Sequence, residues 1–363
     1  MINLWTALRY HSLARLSAIL LLVFYTTVFF ADWIAPYDPY TSESSAALLP
    51  PSKIYWQDQQ TGQWIGPHVY PTEQGALNLE TGDREILVAW DNPVPLGIWV
   101  KGDRHSFLGW TSDRHLFGTT TPDAKFYGLG TDDQGRDQLS RLLYGGRISL
   151  SIGIVGIAIA FPLGILMGGI SGYFSGLADT LIMRLVEVLM TIPSIYLLVA
   201  LAAVLPDNLG TSQRFLLIVL ITSFIRWAGL ARVIRGQVLS IKEQEFVQAA
   251  RAMGGRSLYI IIRHVLPQTF TYVIISATLV VPSFIEAESV LSLIGLGIQQ
   301  PAASWGNMLA VSTNASILIL QPWLVWPPAL LIILTVLSFN LLGDGLRDAL
   351  DPHDLSPEDS LIG

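Results

Sequence analysis

The sequence predicts an all-α membrane protein of six transmembrane helices, with a mixed, β-containing extracytoplasmic insertion between the first and second helices. Of its 363 residues, 51% are hydrophobic and only 13% are charged, about half the usual charged share of a soluble domain. The apolar residues fall into six long runs. The net charge of −7 comes from one block, residues 36–139, which holds 14 acidic and 7 basic residues.

The six apolar runs approach the roughly 20 residues that a helix needs to cross a bilayer. They are residues 16–35, 148–178, 188–206, 215–231, 264–285 and 322–343. A cleaved signal peptide at the first run would leave five spans, but this run is longer than a usual signal-peptide core. We expect a first helix within 1–35, an insertion over 36–130, a core of five helices over 131–350 and a tail over 351–363.

Basic residues predict the orientation, because short cytoplasmic loops carry an excess of lysine and arginine. The loop over about 233–266 contains five of them: Arg235, Lys242, Arg251, Arg256 and Arg263. The loop over 293–320 contains no charged residue. The basic loop is therefore expected in the cytoplasm. With six spans, both termini are then cytoplasmic and the acidic insertion lies outside.

The acidic insertion carries signals for strands. Residues 84–90 and 94–100 are rich in β-branched and aromatic side chains, which predicts two strands. Turn-forming residues at 91–93 and 101–103 are expected to end them. Nucleic acid is not an expected partner, because its binding requires basic rather than acidic surface.

Motifs of several enzyme classes are absent from the sequence. It has no Gly-Lys dipeptide for a P-loop, no His-Glu-x-x-His and no Gly-x-Ser-x-Gly, the motifs of phosphate binding, zinc hydrolysis and serine catalysis. It has no cysteine, and its six histidines are scattered. We therefore expect no catalytic residue, no metal site and no cofactor in this chain.

An ion-coupled carrier acting alone would keep ionisable residues deep in its helices. The candidates fall near predicted span ends instead: Arg184, Glu187, Arg226, Glu286 and Glu288. Arg184 and Glu187 have the i, i+3 spacing of an ion pair on a helix. This class remains an alternative, for which Glu286 and Glu288 are the most interesting residues.

The second span contains a stripe of small residues, Ala160, Gly164, Gly168, Gly172 and Gly176. Such a stripe lets two helices approach closely, and we expect a static packing seam rather than a sliding gate.

Two further features concern the ends and bends of the spans. Pro162 and Pro193 are expected to kink theirs. Arg136 and Asp137 should lie just outside the membrane, where they either belong to a capped amphipathic helix or contact a partner protein.

The most informative segment is residues 245–255, which is typical of a short helix within the basic loop. Four apolar residues recur at helical spacing and are expected to share one face: Phe246, Ala249, Ala250 and Met253. Three polar residues should lie opposite: Glu245, Gln248 and Arg251. Gly254 or Gly255 would end the helix, and Leu266-Pro267 would open the next span. The pattern fits either an ordinary amphipathic helix or a docking helix for a cytoplasmic partner.

This segment resembles the coupling motif of ABC-transporter permeases, which is Glu-Ala-Ala, three residues, Gly, nine residues and Ile-x-Leu-Pro. The corresponding residues here are Gln248-Ala249-Ala250, Gly254 and His264-Val265-Leu266-Pro267. Gln248 replaces Glu and His264 replaces Ile. Residues 129–137, 143–149, 304–309 and 339–348 also resemble the C-type permease subunits of dipeptide/oligopeptide (and nickel) importers. The resemblance covers about residues 126–352 and the first span.

The resemblance implies a type I ABC importer fold in the bacterial plasma (inner) membrane. It implies a second homologous permease subunit, two cytoplasmic ATPases that bind ATP and Mg, and an extracytoplasmic solute-binding protein. It also implies that nine residues couple the chain to the ATPase: Glu245, Phe246, Gln248, Ala249, Ala250, Arg251, Gly254, Leu266 and Pro267. Import of di-/oligopeptides is the expected function, and import of nickel or another small solute is the alternative. No residue is assigned to the substrate.

Overall fold

The computed structural model describes residues 11–77, 84–107, 109–121, 124–206 and 208–350. The first elements are α1 (Ser12–Phe29), α2 (Ala31–Ile34), β1 (Tyr55–Gln57), β2 (Trp64–Val69), β3 (Thr72–Leu77), β4 (Arg84–Val88), β5 (Val94–Phe107) and β6 (Trp110–Thr119). They are followed by α3 (Gln138–Phe174), α4 (Gly176–Thr191), α5 (Ser194–Ala202), α6 (Thr211–Ile241), α7 (Glu245–Ala252), α8 (Ser257–Ile260), α9 (Phe270–Leu293), α10 (Trp305–Leu309), α11 (Ala315–Leu320) and α12 (Pro322–Leu350). The predicted cytoplasmic segments 1–10 and 351–363 lie outside the described residues.

Within the described ranges, five helical runs are long and apolar enough to cross a membrane: α1, α3, α6, Ser257–Leu293 and α12. The predicted third span is instead the pair α4 and α5, which is bent by 87° and would be a sixth span if the pair is counted as one. Pro193 lacks a backbone N–H, and Ile192 before it is extended, with φ −79° and ψ 125°. A following proline favours that conformation. The predicted kink at Pro193 is thus a break, whereas α3 continues through Pro162.

The helices extend beyond the apolar runs that predict them. α3 begins at Gln138 rather than near 148, and the run that contains α9 begins at Ser257 rather than near 264. A prediction that counts uncharged residues ends each span at its first charged side chain. The helices continue past these residues, because charged side chains are compatible with helical structure.

The chain divides into two compact units: a helical unit of residues 11–22, 151–291 and 333–350, and an insertion unit of residues 23–150 and 292–332. In the helical unit, the small stripe of α3 packs against α6. A Cβ added at Gly168 would lie 2.5 Å from the carbonyl oxygen of Ala231, and one at Gly172 would lie 2.8 Å from that of Arg235. Only glycine fits so near a backbone, which explains the packing seam.

The stripe is shorter than its spacing predicts. Gly176 lies beyond the end of α3 and adopts a φ of +61°. A Cβ added at Gly176 would meet no atom of the described residues within 4 Å. Gly176 therefore serves the turn between α3 and α4 rather than the seam.

The insertion unit contains an antiparallel sheet in the order β1-β2-β5-β6 and a separate pair of β3 and β4. Strands β4 and β5 occur where the sequence predicts strands. The predicted turn at 101–103 is wrong, because these residues lie inside β5. There β6 supplies a hydrogen-bonding partner as far as the pair Phe107 and Trp110, with a bulge between Lys101 and His105.

One core cluster of the insertion unit surrounds Trp305, which is 1% exposed. Its backbone N–H donates to Ser149 Oγ and its Nε1 donates to the carbonyl oxygen of Leu142, both at 2.9 Å. Val28 and Leu150 are buried in the same cluster. The segment 304–309, which carries part of the family resemblance, therefore builds this core.

Candidate functional site

The loop helix α7 has defined ends. Gln244 is extended before it, and the N–H groups of Val247 and Gln248 donate to the Gln244 carbonyl oxygen. At the other end, Gly254 has a φ of +82°. The N–H of Gly254 donates to Arg251 O at 3.0 Å, and the N–H of Gly255 donates to Ala250 O at 3.1 Å. These two bonds form a Schellman cap, and the left-handed residue in such a cap is usually glycine.

The four predicted residues of the apolar face of α7 do not share one environment. Val247 and Ala250 are the buried side chains of this helix. Phe246 is 41% exposed and Met253 is 83% exposed, and Ala249 is also exposed. The apolar residues of the helix therefore form two neighbouring groups: Val247 and Ala250 pack into its own protein, and Phe246, Ala249 and Met253 form an exposed apolar stripe beside them. The sequence pattern merged these two groups because Ala249 and Ala250 are adjacent.

Polar contacts hold the loop around α7 in place. Gln248 Nε2 donates to the carbonyl oxygen of Lys242 at 3.0 Å. Lys242 Nζ donates to Gly172 O at 3.0 Å and to Ser175 Oγ at 2.8 Å, at the junction of α3 and α4. The Arg251 guanidinium lies 5.4 Å from the ring centre of Tyr173 at the same junction. The loop is therefore attached to the end of α3.

Gln248 has a structural role that glutamate would not reproduce. Its side-chain amide is a donor to a backbone carbonyl, and an ionised glutamate has no proton to donate there. Gln248, where the family pattern has Glu, therefore gives up a negative charge and gains a hydrogen bond to the Lys242 carbonyl oxygen that holds the loop closed.

An ion pair reinforces the neighbouring helices. Arg235 of α6 contacts Asp179 of α4, with Nε to Oδ1 at 2.5 Å and Nη2 to Oδ2 at 2.6 Å. Ser171 Oγ donates to the same carboxylate. Sequence reasoning missed Asp179, and it used Arg235 and Lys242 for orientation alone. The signal available was an acidic residue directly after the apolar run 148–178.

The second half of the predicted coupling motif lies inside a helix rather than at its start. Helical structure is continuous from Ser257 to Leu293, with π-helical turns over Ile261–Val265 and 3-10 turns over Leu266–Thr269. Pro267 lies at the start of the 3-10 segment, and proline cannot donate a backbone hydrogen bond there. Leu266 is half-buried and would contact a side chain at Gly169. The expectation that Leu266-Pro267 opens the span is therefore wrong by nine residues.

The nine predicted coupling residues thus differ in position. Six are exposed: Glu245, Phe246, Ala249, Arg251, Gly254 and Pro267. Gln248 and Leu266 are half-buried, and Ala250 is buried. The structure brings the first seven together on and around α7, and Leu266 and Pro267 belong to the adjoining helical run.

A cavity of about 140 Å³ lies in the helical unit, beside the break between α4 and α5. It is lined by Ser194, Ile195, Leu198, Thr222, Ile225, Arg226, Ser283, Glu286, Ala287 and Val290. Arg226 and Glu286 are near enough for their charges to interact. Among the described residues, however, no ion pair joins these two side chains.

Three of the candidate charged residues lie farther inside their helices than predicted. Arg226 lies in the middle of α6, and Glu286 and the buried Glu288 lie within α9 rather than at its end. The predicted pair is present, with Arg184 Nη1 3.0 Å from Glu187 Oε2.

The insertion unit contains a buried ion cluster. Asp132 Oδ2 lies 2.7 Å from Arg136 Nε and 3.3 Å from Arg141 Nε. Both arginines also donate to Gln300 Oε1, at 2.8 Å and 3.0 Å. Asp137 caps α3, since its Oδ2 accepts from the Ser140 N–H at 2.7 Å. Burial raises the pKa of Asp137 to about 6.

This cluster decides between the two interpretations of Arg136 and Asp137. Both side chains are almost completely buried, so they cap and brace the start of α3 instead of presenting a surface. In the part of the chain that the structure describes, no group of three His, Cys, Asp or Glu side chains is placed to hold a metal ion.

The comparisons with known proteins agree with this architecture. Residues 160–353 match the family described as binding-protein-dependent transport system inner membrane component. Residues 2–51 match the N-terminal transmembrane domain of oligopeptide transport permease C.

Two curated relatives are similar over the same part of the chain. The oligopeptide transport system permease protein OppC of Haemophilus influenzae is 44% identical over 226 residues, which are 62% of this chain and 70% of the relative. The dipeptide transport system permease protein DppC of Bacillus subtilis is 43% identical over 224 residues, 62% of this chain and 68% of the relative. A solved inward-facing methionine ABC transporter, MetNI, is 19% identical with a TM-score of 0.44 and covers 59% of this chain and 98% of that chain.

The family match spans more than half of the chain, and the relatives are matched over about 70% of their length. The protein therefore belongs to the family of inner membrane components of binding-protein-dependent transport systems and is a multi-pass protein of the inner membrane.

Proposed function

We propose that this chain is the membrane-spanning permease subunit of an ATP-driven ABC importer for di-/oligopeptides. In this function, α7 lies on the cytoplasmic side and receives the motion of a partner ATPase. The complex would contain a second homologous permease subunit, two ATPases that bind ATP and Mg, and an extracytoplasmic solute-binding protein. The chain itself performs no catalysis.

The exposed apolar stripe of α7 is the observation that carries this proposal. A short helix with a buried side of Val247 and Ala250 is fixed to its own protein. The neighbouring exposed stripe of Phe246, Ala249 and Met253 is free to enter a groove of a partner, which is a common mode of helix recognition. Ala249 is small, so a partner surface can approach the backbone closely at the centre of the stripe.

The polar contacts around α7 support a role in transmitting force. Lys242 and Arg251 connect the loop to the end of α3, and the Arg235–Asp179 pair connects α6 to α4. Displacement of α7 would therefore act on several membrane helices at once. Rigid-body motion of packed elements is an established form of alternation between two states.

The test compares arginine at two exposed alanines of the same helix, Ala249 within the stripe and Ala252 three residues later. Ala249→Arg should abolish ATP-dependent uptake of a labelled dipeptide in vesicles that contain the reconstituted complex. It should also reduce recovery of the ATPase with the permease. Ala252→Arg should retain most of both activities. Normal uptake with Ala249→Arg, or equal loss in both variants, would contradict the proposal.

Ala250 is unsuitable for this experiment, although it belongs to the family motif. It is 6% exposed, so a bulky substituent there would overpack the interior and lower stability. Loss of transport would then report misfolding rather than loss of docking.

Two observations support peptides as the solute class. The similar permeases of H. influenzae and B. subtilis are named for oligopeptide and dipeptide transport. The cavity of this chain also carries an arginine and a glutamate that are not paired directly, and a free peptide has one charged group of each sign at its ends.

Uptake measured in cells with and without this chain tests the solute class. Labelled di-, tri- and longer peptides should enter more slowly without the chain, and the wild-type gene should restore their entry. Nickel measured in parallel should be unaffected. A nickel deficit with an unchanged peptide profile would overturn the peptide assignment and favour the alternative of metal import.

A further inference from the structure

An aromatic cluster joins the end of the first span to the tip of the long hairpin β5–β6. Phe107 lies against three residues at the end of α1 and just after it. Its ring centre is 5.2 Å from Phe29, 5.8 Å from Phe30 and 4.7 Å from Trp33. Phe107 is the last residue of β5, so the tip of the hairpin is placed beside the end of α1.

The end of α1 marks a level in the membrane. Its 18 residues correspond to about 27 Å of helix, close to the roughly 30 Å thickness of the hydrocarbon core. Phe29, the last residue, therefore lies near one membrane surface, and it is 52% exposed. Phe107 lies at the same level because it packs against Phe29.

The rest of the hairpin contacts the segment that follows α1. Beyond α1, the chain passes Ala35 and Asp38, which contact positions farther from the tip. The Asp38 N–H donates to Asp103 Oδ2 at 3.1 Å, and His115 Nδ1 lies 2.5 Å from the carbonyl oxygen of Ala35. Both of these contacts lie farther from the tip than Phe107 does, so the tip is the part of the hairpin nearest to the end of α1.

The tip carries a large exposed aromatic side chain. Phe107 and Trp110 are paired across the end of the hairpin, and Trp110 is 82% exposed. Tryptophan combines an apolar ring with one N–H donor, and it is enriched at membrane–water interfaces for this reason. Exposure of such a side chain to water alone would leave its apolar surface uncovered.

We infer that the β5–β6 tip is a membrane anchor, with Trp110 inserted among the lipid headgroups of the leaflet at which α1 ends. The partner is a lipid surface. We choose a lipid surface as the partner because the exposed apolar surface is continuous with a membrane span. Phe29 is exposed at the end of that span, and the tip continues the apolar surface through Phe107, which packs on Phe29. The inserted tip would hold the insertion unit at the bilayer.

The lack of cysteine in the sequence allows a direct test by single-site labelling of the full-length protein. A nitroxide on Trp110→Cys would be compared with one on Trp64→Cys, in vesicles of phosphatidylethanolamine and phosphatidylglycerol. Trp64 is a matched control because it is another exposed tryptophan of the same sheet, at 68% exposure. Its position in β2 is far from the contacts with α1.

The label at 110 should collide more often with oxygen dissolved in the lipid than with a water-soluble nickel chelate, and the label at 64 should show the reverse preference. Equal preference for the chelate at both positions would overturn the inference. Protection of position 110 from both reagents would also overturn it, because it would indicate a protein partner. The same comparison at Ser106→Cys checks the result with the Trp110 side chain intact.

Discussion

Two groups of charged side chains in this protein are arranged in opposite ways. In the insertion unit, Asp132 lies between Arg136 and Arg141, and the arginine side chains are each 2% exposed. In the helical unit, Arg226 and Glu286 line one cavity without forming a direct pair. The first group satisfies its charges internally, whereas the second leaves charges of both signs facing a space.

The difference indicates different roles. A buried carboxylate between two guanidinium groups stabilises the fold only while every member is present, since loss of one leaves an uncompensated buried charge. Two opposite charges that line a cavity without direct contact contribute little to the stability of the fold. They can instead interact with a charged solute. Mutations in the charge cluster of the insertion unit should therefore lower the stability of the protein. Mutations of Arg226 and Glu286 at the cavity should instead reduce transport.

The largest effect is expected for Asp132→Ala. The substitution leaves Arg136 and Arg141 buried without their carboxylate, and breaking a buried pair in this way costs about 3–5 kcal/mol. We expect a strongly lowered thermal midpoint in detergent and reduced yield from the membrane. Differential scanning fluorimetry of the purified chain measures the first quantity.

The neighbouring residue Asp133 is the matched control, because it is exposed. Asp133→Ala should change stability by less than about 0.5 kcal/mol. Equal effects of the two substitutions would mean that the cluster around Asp132 has no special weight in the fold.

A smaller effect, with a defined pH window, is expected at Asp137. Burial raises its pKa from 3.8 to about 6, so between about pH 4 and pH 6 the folded state binds more protons than the unfolded state. This contribution is therefore fully present below about pH 4, and stability decreases as pH rises to about 6. A shift of about two pKa units corresponds to roughly 3 kcal/mol at most.

Asp137→Asn should remove this dependence, because an amide does not titrate and its oxygen still accepts from Ser140. Thermal midpoints measured from pH 4 to pH 7 would fall with rising pH for the wild type and stay flatter for the variant. Asp133→Asn should keep the wild-type slope. Parallel curves for the wild type and Asp137→Asn would contradict the assigned titration.

Much of the fold follows from residue pattern because it depends on local rules. The apolar runs predict the membrane helices, and the strand signals at 84–90 and 94–100 predict β4 and β5. Helix α7 and its glycine end are also predictable, since spacing and a left-handed glycine are properties of a short segment. These features need no information about distant residues.

The remaining features depend on contacts between distant parts of the chain. Whether Phe246 or Val247 faces inward is set by what packs against α7, and the two are adjacent in sequence. The continuation of β5 through 101–103 depends on β6, where Arg114 pairs with Lys101. The positions of Arg226 and Glu286 within their helices depend on where those helices end, and a count of uncharged residues misplaces these ends. The orientation of the termini stays a prediction from the basic loop.

The smallest change in stability is expected for substitutions of Arg226 and Glu286 at the cavity. Their effect on transport should depend on which end of the peptide is charged. Arg226→Gln and Glu286→Gln remove charges that make no direct pair, so each should alter stability by less than about 1 kcal/mol. If Glu286 contacts the ammonium group of a peptide and Arg226 contacts its carboxylate, each loss removes one charge-assisted hydrogen bond. Such a bond is worth about 1.5–3 kcal/mol, which corresponds to about tenfold or more in affinity.

The two contacts can be separated with capped peptides. Uptake of a free dipeptide by the reconstituted complex should fall about tenfold in either variant. An N-acetylated peptide should be insensitive to Glu286→Gln, and a C-amidated peptide should be insensitive to Arg226→Gln. For each peptide, uptake by the variant is divided by uptake by the wild type. The solute-binding protein is the same in both, so differences in how it recognises the peptides drop out of this ratio. Equal ratios for free and capped peptides would show that the cavity charges do not contact the peptide ends. The cavity charges and the buried charge cluster would then differ only in how deeply they are buried.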